Sequence, residues 1–151
     1  MVKKKQKRFI PEDWEYRRGD IYLINLSPYM GSEQGGRRPC IVLQNNKGNL
    51  FAPTLIIAPV TSILTKKGAA THYVLENQRG LRKTSVVELE QIRTIDKGRV
   101  LSYMGRVSKE DMKNIDDIIC YSLGIPVIEE VEAPECLEKK MWAQSMEETP
   151  R

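Results

Sequence analysis

The chain has 151 residues, of which 40% are hydrophobic and 29% are charged, and its formal net charge is +4 at pH 7. These values are typical of one globular domain with its own core, and they exclude a disordered chain. No apolar run approaches the roughly 20 residues that cross a bilayer, so we expect neither a membrane span nor a secretory signal. Cys40, Cys120 and Cys136 have no metal-binding spacing and are odd in number. We therefore expect reduced thiols in a cytoplasmic protein.

Charge divides the chain into three parts. Residues 1–18 carry seven Lys and Arg against three acidic residues, whereas residues 126–151 carry seven Glu against two Lys and one Arg. We expect a basic N-terminal extension (1–18), a folded domain (19–125) and an acidic C-terminal extension (126–151). A short helix in the last part is predicted to begin near Pro134.

Six segments of the middle part have the short apolar or alternating patterns of β-strands, separated by turn residues. They are DIYLINL (20–26), CIVLQ (40–44), TLIIAPVT (54–61), THYVLE (71–76), SVVELEQIRTI (85–95) and RVLSYMGRV (99–107). Residues 45–49 predict a turn, and Pro59 indicates a bulge or an edge position in its strand. Short strands at this spacing predict a small curled antiparallel sheet or barrel.

One helix is predicted after the strands. Ser108 is a suitable N-cap, with Asp111 three residues later, and Gly124 and Pro126 mark the end. The apolar positions on one face of this helix are Met112, Ile115, Ile119 and Leu123. The fold class is therefore mainly β, with a helix that follows the sheet.

Several catalytic chemistries lack the residues that they need. His72 is the only histidine, and no pair of cysteines has the spacing of metal ligands. The chain contains no phosphate-binding GxxxxGK[ST] loop, and GSEQGG falls short of the dinucleotide-binding glycine pattern. We expect no metal and no cofactor, and we interpret His72 as a structural residue.

The stretch GSEQGGRRP (31–39) does indicate chemistry. Two arginines follow a glycine-rich loop and precede a buried strand. An arginine is always charged, and its planar fork matches two phosphate oxygens. Glycines without Cβ atoms let backbone N–H groups approach the same ligand. This combination predicts a phosphate-binding site.

The same stretch belongs to a longer resemblance. Residues 17–62, together with THYVLE, LRKTSVVELEQIRTIDKGRV and SLG, closely resemble the MazF/PemK-like toxins over about 17–125. The resemblance implies an SH3-like β-barrel with a C-terminal helix, a homodimer, and an endoribonuclease that cuts single-stranded mRNA at short motifs without a metal. It also implies a cognate MazE-like antitoxin whose acidic C-terminal segment binds the toxin dimer.

The resemblance also assigns site residues. The family's catalytic pair falls on Arg38, directly before the motif's proline, and on Thr61, which ends a buried strand. The expected RNA-binding residues are Ser32, Glu33, Gln34, Gly35, Gly36, Arg37, Asn45 and Gln91. Arg37 departs from the family, which usually has an apolar residue there, and this arginine fits either a phosphate contact or a solvent-exposed position.

The implied reaction is attack of a ribose 2′-hydroxyl on the adjacent phosphate, which leaves a 2′,3′-cyclic phosphate and a 5′-hydroxyl. We expect Arg38 to stabilise the developing charge and Thr61 to donate a hydrogen bond. Glu33 fits either a base or an organiser of its loop. Two alternatives share the fold, namely a gyrase poison of the CcdB type and an RNA-binding module without cleavage.

Two charged features remain open at this point. Six cations in predicted loops fit either a phosphate-tracking surface or ordinary surface charge. They are Lys47, Lys66, Lys67, Arg79, Arg82 and Lys83. The acidic extension fits either a solvated or dimer-packing segment, or a segment that covers a basic groove and lowers activity.

Overall fold

A computed structural model describes residues 8–64 and 68–127. Its elements in chain order are β1 (Asp20–Asn25), β2 (Arg37–Val42), α1 (Asn46–Phe51), β3 (Thr54–Thr61), β4 (His72–Leu75), β5 (Ser85–Glu88), β6 (Arg93–Asp96), β7 (Val100–Arg106) and α2 (Lys109–Leu123). The helix predicted near Pro134 lies outside the described residues. Within them, no helix combines the length and the apolar character that a membrane span requires.

All strand pairings are antiparallel, and the strands follow the order β4-β5-β3-β2-β1-β7. The remaining strand, β6, pairs with β3 along residues 54–57, whereas β5 pairs with β3 at residues 60–61. Because β5 and β6 lie end to end along one edge of β3, the sheet branches there. In the described residues no pairing joins β4 to β7. The mainly antiparallel fold with a C-terminal helix is confirmed, and the expected barrel is corrected to an open sheet.

Two hydrophobic clusters lie on opposite faces of the sheet. Alternation along β1 sends Ile21 into one cluster and Tyr22 and Ile24 into the other. Helix α2 buries Met112 and Ile115 in the cluster that contains Ile21. The polar ends of β2 and β3 therefore remain at a rim of the sheet that α2 does not cover.

Two predicted elements differ from the observed ones. Residues 45–49 do not form a simple turn, because Asn45 is the N-cap of α1 and its side chain accepts the Gly48 N–H at 2.8 Å. The single strand predicted over 85–95 is divided into β5 and β6 by a 3-10 turn at Leu89–Gln91. Because of this turn, β5 and β6 pair with different parts of β3.

Helix α2 has the predicted caps. The Ser108 hydroxyl accepts the Asp111 N–H at 3.1 Å, and Gly124 has the left-handed φ of 70° that ends a helix. The predicted apolar face is wrong at its last position, since Leu123 is 59% exposed. Ser122 instead faces the 3-10 turn, where its hydroxyl donates to the Leu89 carbonyl at 3.1 Å.

Pro59 is not at a sheet edge, because β3 has partners on both sides. The proline lies between the part of β3 that pairs with β6 and the part that pairs with β5. Proline has no backbone N–H, so it is tolerated where the hydrogen bonds between neighbouring strands are interrupted. The predicted edge position is wrong, and the register of β2 with β3 includes Pro59 without a bulge.

Candidate active site

The start of β2 and the end of β3 form one wall of a cleft. Cys40 is paired with Pro59, and Arg38 on β2 and Thr61 on β3 each lie two residues beyond this pair, at the same end of the two strands. Both of these side chains line a cleft of about 390 Å³. Strand register thus brings together two residues that are 23 positions apart in the chain.

The cleft is strongly cationic. Arg37, Arg38, Arg82 and Lys83 line it, and no acidic residue is among the described residues that do so. The loop that carries Arg82 and Lys83 packs closely on β7, since a Cβ on Gly80 would overlap the Met104 carbonyl. A dianionic or polyanionic ligand is therefore the kind of molecule that this cleft attracts.

Arg38 is held by its neighbouring loop. Its Nε donates to the Gly35 carbonyl at 2.8 Å, and the residue is half-buried. This partner is a neutral carbonyl, so the hydrogen bond orients the guanidinium without cancelling its charge. An arginine in this state can place its terminal N–H groups on a phosphate.

Thr61 is 2% exposed, yet it lies on the cleft. Its Oγ1 accepts the Ile63 N–H at 3.2 Å, which fixes the oxygen. A hydroxyl that accepts one hydrogen bond still has its own proton to donate. Thr61 is therefore positioned as a neutral hydrogen-bond donor beside Arg38.

The loop before β2 is organised by its own polar groups. The Glu33 carboxylate accepts the Met30 N–H at 2.8 Å, while the Glu33 N–H donates to the Met30 carbonyl at 3.1 Å. A Cβ on Gly35 would overlap the Tyr29 ring, and Gly36 has a φ of 75°. These contacts favour the loop-organising interpretation of Glu33 over the catalytic one.

Gln34 and Gln91 join this loop to the sheet behind it. Gln34 Nε2 donates to both oxygens of Glu88, at 2.7 and 2.9 Å, and the Gln34 N–H donates to Gln91 Oε1 at 3.4 Å. Gln91 Nε2 in turn donates to the Ser32 carbonyl at 3.5 Å. Sequence reasoning missed Glu88, although an acidic residue within the apolar run SVVEL is a signal for a buried polar contact.

The other predicted residues divide between the cleft and the rest of the surface. Asn45 does not line the cleft and serves as the cap of α1. Of the six loop cations, Arg82 and Lys83 line the cleft and Lys47 lies on α1. Lys66 and Lys67 lie outside the described residues. The described loop cations therefore do not form one continuous surface.

His72 lies in a cluster with two carboxylates. The ligand atoms of His72, Glu88 and Glu90 lie within 4.8 Å of one another, and His72 Nε2 is 2.7 Å from Glu90 Oε1. Although burial raises the pKa of Glu90, hydrogen bonds from His72 and Thr71 hold it below its usual value. Among the described residues, these three could hold a metal ion, and the spacing along the chain did not predict them because the pairing of β4 with β5 brings His72 beside Glu88.

Neither of the two described cysteines forms a disulfide. Cys40 is buried and unpaired, and burial raises the pKa of its thiol. Cys120 is also unpaired and is half-buried, while Cys136 lies outside the described residues. The predicted packing role of Cys40 agrees with its complete burial.

A family model described as "PemK-like, MazF-like toxin of type II toxin-antitoxin system" matches residues 17–123. The chain belongs to this family. The family assignment predicted from the sequence resemblance is thereby confirmed. The chain is also 45% identical over 113 residues to the endoribonuclease MazF of Staphylococcus saprophyticus, an alignment that covers 74% of this chain and 94% of the relative.

Solved structures show the same fold. MazF of Deinococcus radiodurans matches with a TM-score of 0.66 and 26% identity, over 74% of this chain and 99% of that one. A MazE-MazF complex from the same organism matches with a TM-score of 0.62 and 26% identity, over 76% of this chain and 100% of that one. An endoribonuclease from a mycobacterial species, at 22% identity and a TM-score of 0.63, covers 76% of this chain and 96% of its own and supports the fold alone.

Proposed function

We propose that this toxin is an endoribonuclease that cleaves single-stranded RNA by attack of a ribose 2′-hydroxyl on the adjacent phosphate. The observation that supports the proposal most is the placement of Arg38 and Thr61 in one cationic cleft that has no acidic residue among its described lining. The name of the relative at 45% identity supports the same activity.

The reaction needs a nucleophile that the substrate itself provides. The 2′-oxygen forms a bond to phosphorus while the bond from phosphorus to the 5′-oxygen breaks, which gives a 2′,3′-cyclic phosphate and a 5′-hydroxyl. Negative charge collects on the non-bridging oxygens in the transition state. Arg38 and Thr61 donate hydrogen bonds to those oxygens, each in the manner of an oxyanion-hole donor.

Arg38 does not act as the base in this scheme. An arginine guanidinium stays protonated in proteins. Its role is therefore charge stabilisation through hydrogen bonds to the phosphate, while the proton of the 2′-hydroxyl passes to water and the departing 5′-oxygen takes a proton from water. Glu33 remains an organiser of the loop, since its carboxylate already accepts the Met30 N–H.

RNA bases contact the rim of the cleft in this proposal. Ser32, Gly36 and Arg37 belong to the segment that leads into it, and single-stranded bases splayed from the backbone can meet their polar groups. Arg82 and Lys83 neutralise phosphates on the opposite wall. Asn45 is not among the proposed RNA-binding residues because it is the N-cap of α1.

The biological setting follows from the family. We propose residues 19–125 as the catalytic domain, which acts as a homodimer in the cytoplasm, where mRNA is available. The inhibitor is a cognate MazE-like antitoxin whose acidic segment occupies the cationic cleft, as charge complementarity favours. The extensions at 1–18 and 126–151 are not required for the chemical step.

The test is cleavage of a long RNA by the purified full-length protein in EDTA, followed by mapping of the ends. We expect discrete cuts that leave cyclic-phosphate and 5′-hydroxyl ends. A matched oligonucleotide with one 2′-deoxy nucleotide at the scissile step should bind equally well and resist cleavage, because it lacks the nucleophile. Cleavage of that substrate would disprove the mechanism, and intact RNA with trapped gyrase–DNA breaks would favour the gyrase poison.

A further inference from the structure

We infer that Glu88 is a positioning residue for Arg38, because its buried carboxylate fixes Gln34 and thereby the Gly35 carbonyl that orients the guanidinium. The inference rests on the proposed role of Arg38 in RNA cleavage. It concerns a residue of β5 that has no place among the residues assigned by the family resemblance. Glu88 does not line the cleft and so acts through other groups.

The first step is the burial of Glu88. The residue is fully buried, with 0% of its surface exposed. An ionised carboxylate taken out of water is costly unless hydrogen bonds compensate it. Gln34 Nε2 donates to both of its oxygens, at 2.7 and 2.9 Å. A hydrogen bond to a charged acceptor is about twice as strong as one between neutral groups, so this contact holds Gln34 firmly.

The second step is the short path from Gln34 to Arg38. Gln34 is bonded directly to Gly35, whose carbonyl accepts the Arg38 Nε–H at 2.8 Å. Gly35 is also packed against the Tyr29 ring so tightly that no Cβ fits there. A displacement of Gln34 therefore moves the carbonyl that orients the catalytic guanidinium.

The third step compares the tethers of the loop. The contacts that Gln91 makes with the loop are long, at 3.4 Å to the Gln34 N–H and 3.5 Å to the Ser32 carbonyl. The Glu88 contacts are shorter by at least half an ångström and use both oxygens of a carboxylate. The carboxylate is therefore the stronger of the two anchors between the loop and the sheet.

Two titratable side chains among the described residues lie close to Glu88. His72 on β4 and Glu90 in the 3-10 turn face it, with ligand atoms within 4.8 Å, and Gln34 approaches from the loop. His72 contacts Glu90 at 2.7 Å. A carboxylate introduced at position 34 would thus meet Glu88 directly, in a site that also contains His72 and Glu90.

The experiment exchanges the donor and the acceptor. Gln34→Glu replaces the Nε2 donor by a second carboxylate group, so the loop loses both of its hydrogen bonds to Glu88. We expect kcat to fall about tenfold or more at pH near 8, with KM within about twofold, because a small misplacement of a catalytic group costs rate.

The reciprocal variant Gln34→Glu/Glu88→Gln restores a donor facing an acceptor. We expect its kcat at pH near 8 to return to within about threefold of wild type, whereas Glu88→Gln alone keeps a weaker neutral pair and loses less than Gln34→Glu. A role confined to stability would lower the melting temperature without this rescue of kcat. If Gln34→Glu does not fold, the double variant and Glu88→Gln decide the question.

Gln44→Glu is the matched control. Gln44 is also half-buried, and its Nε2 donates to the Thr54 carbonyl at 3.0 Å, away from the cleft. We expect the kcat of Gln44→Glu to stay within about twofold of wild type. A wild-type kcat for Gln34→Glu, or a double variant no better than Gln34→Glu, would overturn the inference. Arg38→Ala in the same assay distinguishes a failure of this inference from a failure of the proposed function. An active Arg38→Ala would refute the proposed function itself.

Discussion

Two arginines of this protein, Arg38 in the cleft and Arg106 at the end of β7, differ in what holds them. Arg38 Nε donates to the neutral Gly35 carbonyl. Arg106 Nε donates to Asp20 Oδ1 at 2.9 Å, and this carboxylate is 1% exposed. The hydrogen bond to Asp20 and its charge raise the pKa of Arg106 further.

The surroundings of the two arginines explain the difference. Asp20 also accepts hydrogen bonds from the Tyr22 hydroxyl at 2.7 Å and from the Arg17 N–H at 2.9 Å, so Arg106 completes a satisfied network. In the cleft, cations gather without an acidic residue among the described lining. The same residue type thus stabilises the fold where a carboxylate cancels its charge, and is available to an anionic substrate where only a carbonyl orients it.

The largest effect is expected from Arg38→Ala. Loss of one charged donor from the transition state should lower kcat by about a hundredfold to a thousandfold, with little change in the free energy of unfolding. Single-turnover RNA cleavage and chemical denaturation measure the two quantities. A fully active variant would remove the distinction between the two arginines.

Arg106→Ala should show the opposite behaviour. Removing the cation leaves the buried Asp20 without its charged partner, and since Arg106 is half-exposed we expect a loss of about 1–3 kcal/mol in the free energy of unfolding. Activity per folded molecule should stay at the wild-type level. A variant that keeps its stability and loses cleavage would contradict this assignment.

Thr61→Val sharpens the comparison within the cleft. Valine has nearly the shape of threonine but lacks the hydroxyl that we place on the phosphate, so kcat should fall about tenfold while the protein stays folded. Thr61→Ser keeps the hydroxyl and should recover most of the rate. Equal rates for the valine and serine variants would exclude a donor role for Thr61.

The smallest effect concerns Glu90, a carboxylate outside the cleft. Its pKa is lowered in the folded protein, so the stability that it contributes is present above its unfolded pKa and is lost as the pH falls through the folded value. Because Glu90 is partly exposed, the contribution should stay below about 1 kcal/mol. Melting temperatures measured from pH near 5.5 down to about 3 should fall less steeply for Glu90→Gln than for wild type. Parallel curves would exclude this contribution.

The strands and the helix follow closely from local patterns. The bounds of β3 and the two caps of α2 agree with the prediction, because a buried apolar run and capping side chains are properties of neighbouring residues. The predicted strand over 85–95 fails because its interruption at Leu89–Gln91 follows from the pairing of β5 and β6 with different parts of β3. The choice of partner strand is a property of the tertiary structure. It does not change the alternation of apolar and polar residues along the sequence.

The candidate site divides in the same way. Arg38 and Thr61 could be named from the family resemblance, and the glycine loop with its arginines from the chemistry of phosphate. Glu88 carried a signal as an acidic residue in an apolar run, but its contact with Gln34, like that of His72 with Glu90, follows only from the tertiary structure.

The amino-acid sequence by itself determined the family, the mainly β fold class and the candidate site residues. Tertiary structure alone decided that the sheet stays open, that Arg38 and Thr61 line one cleft, and that a buried carboxylate contacts the loop before β2. The physical reason is that patterns along a chain encode burial and backbone conformation. The pairing of distant strands determines which polar groups meet, and it arises only when the core closes around them.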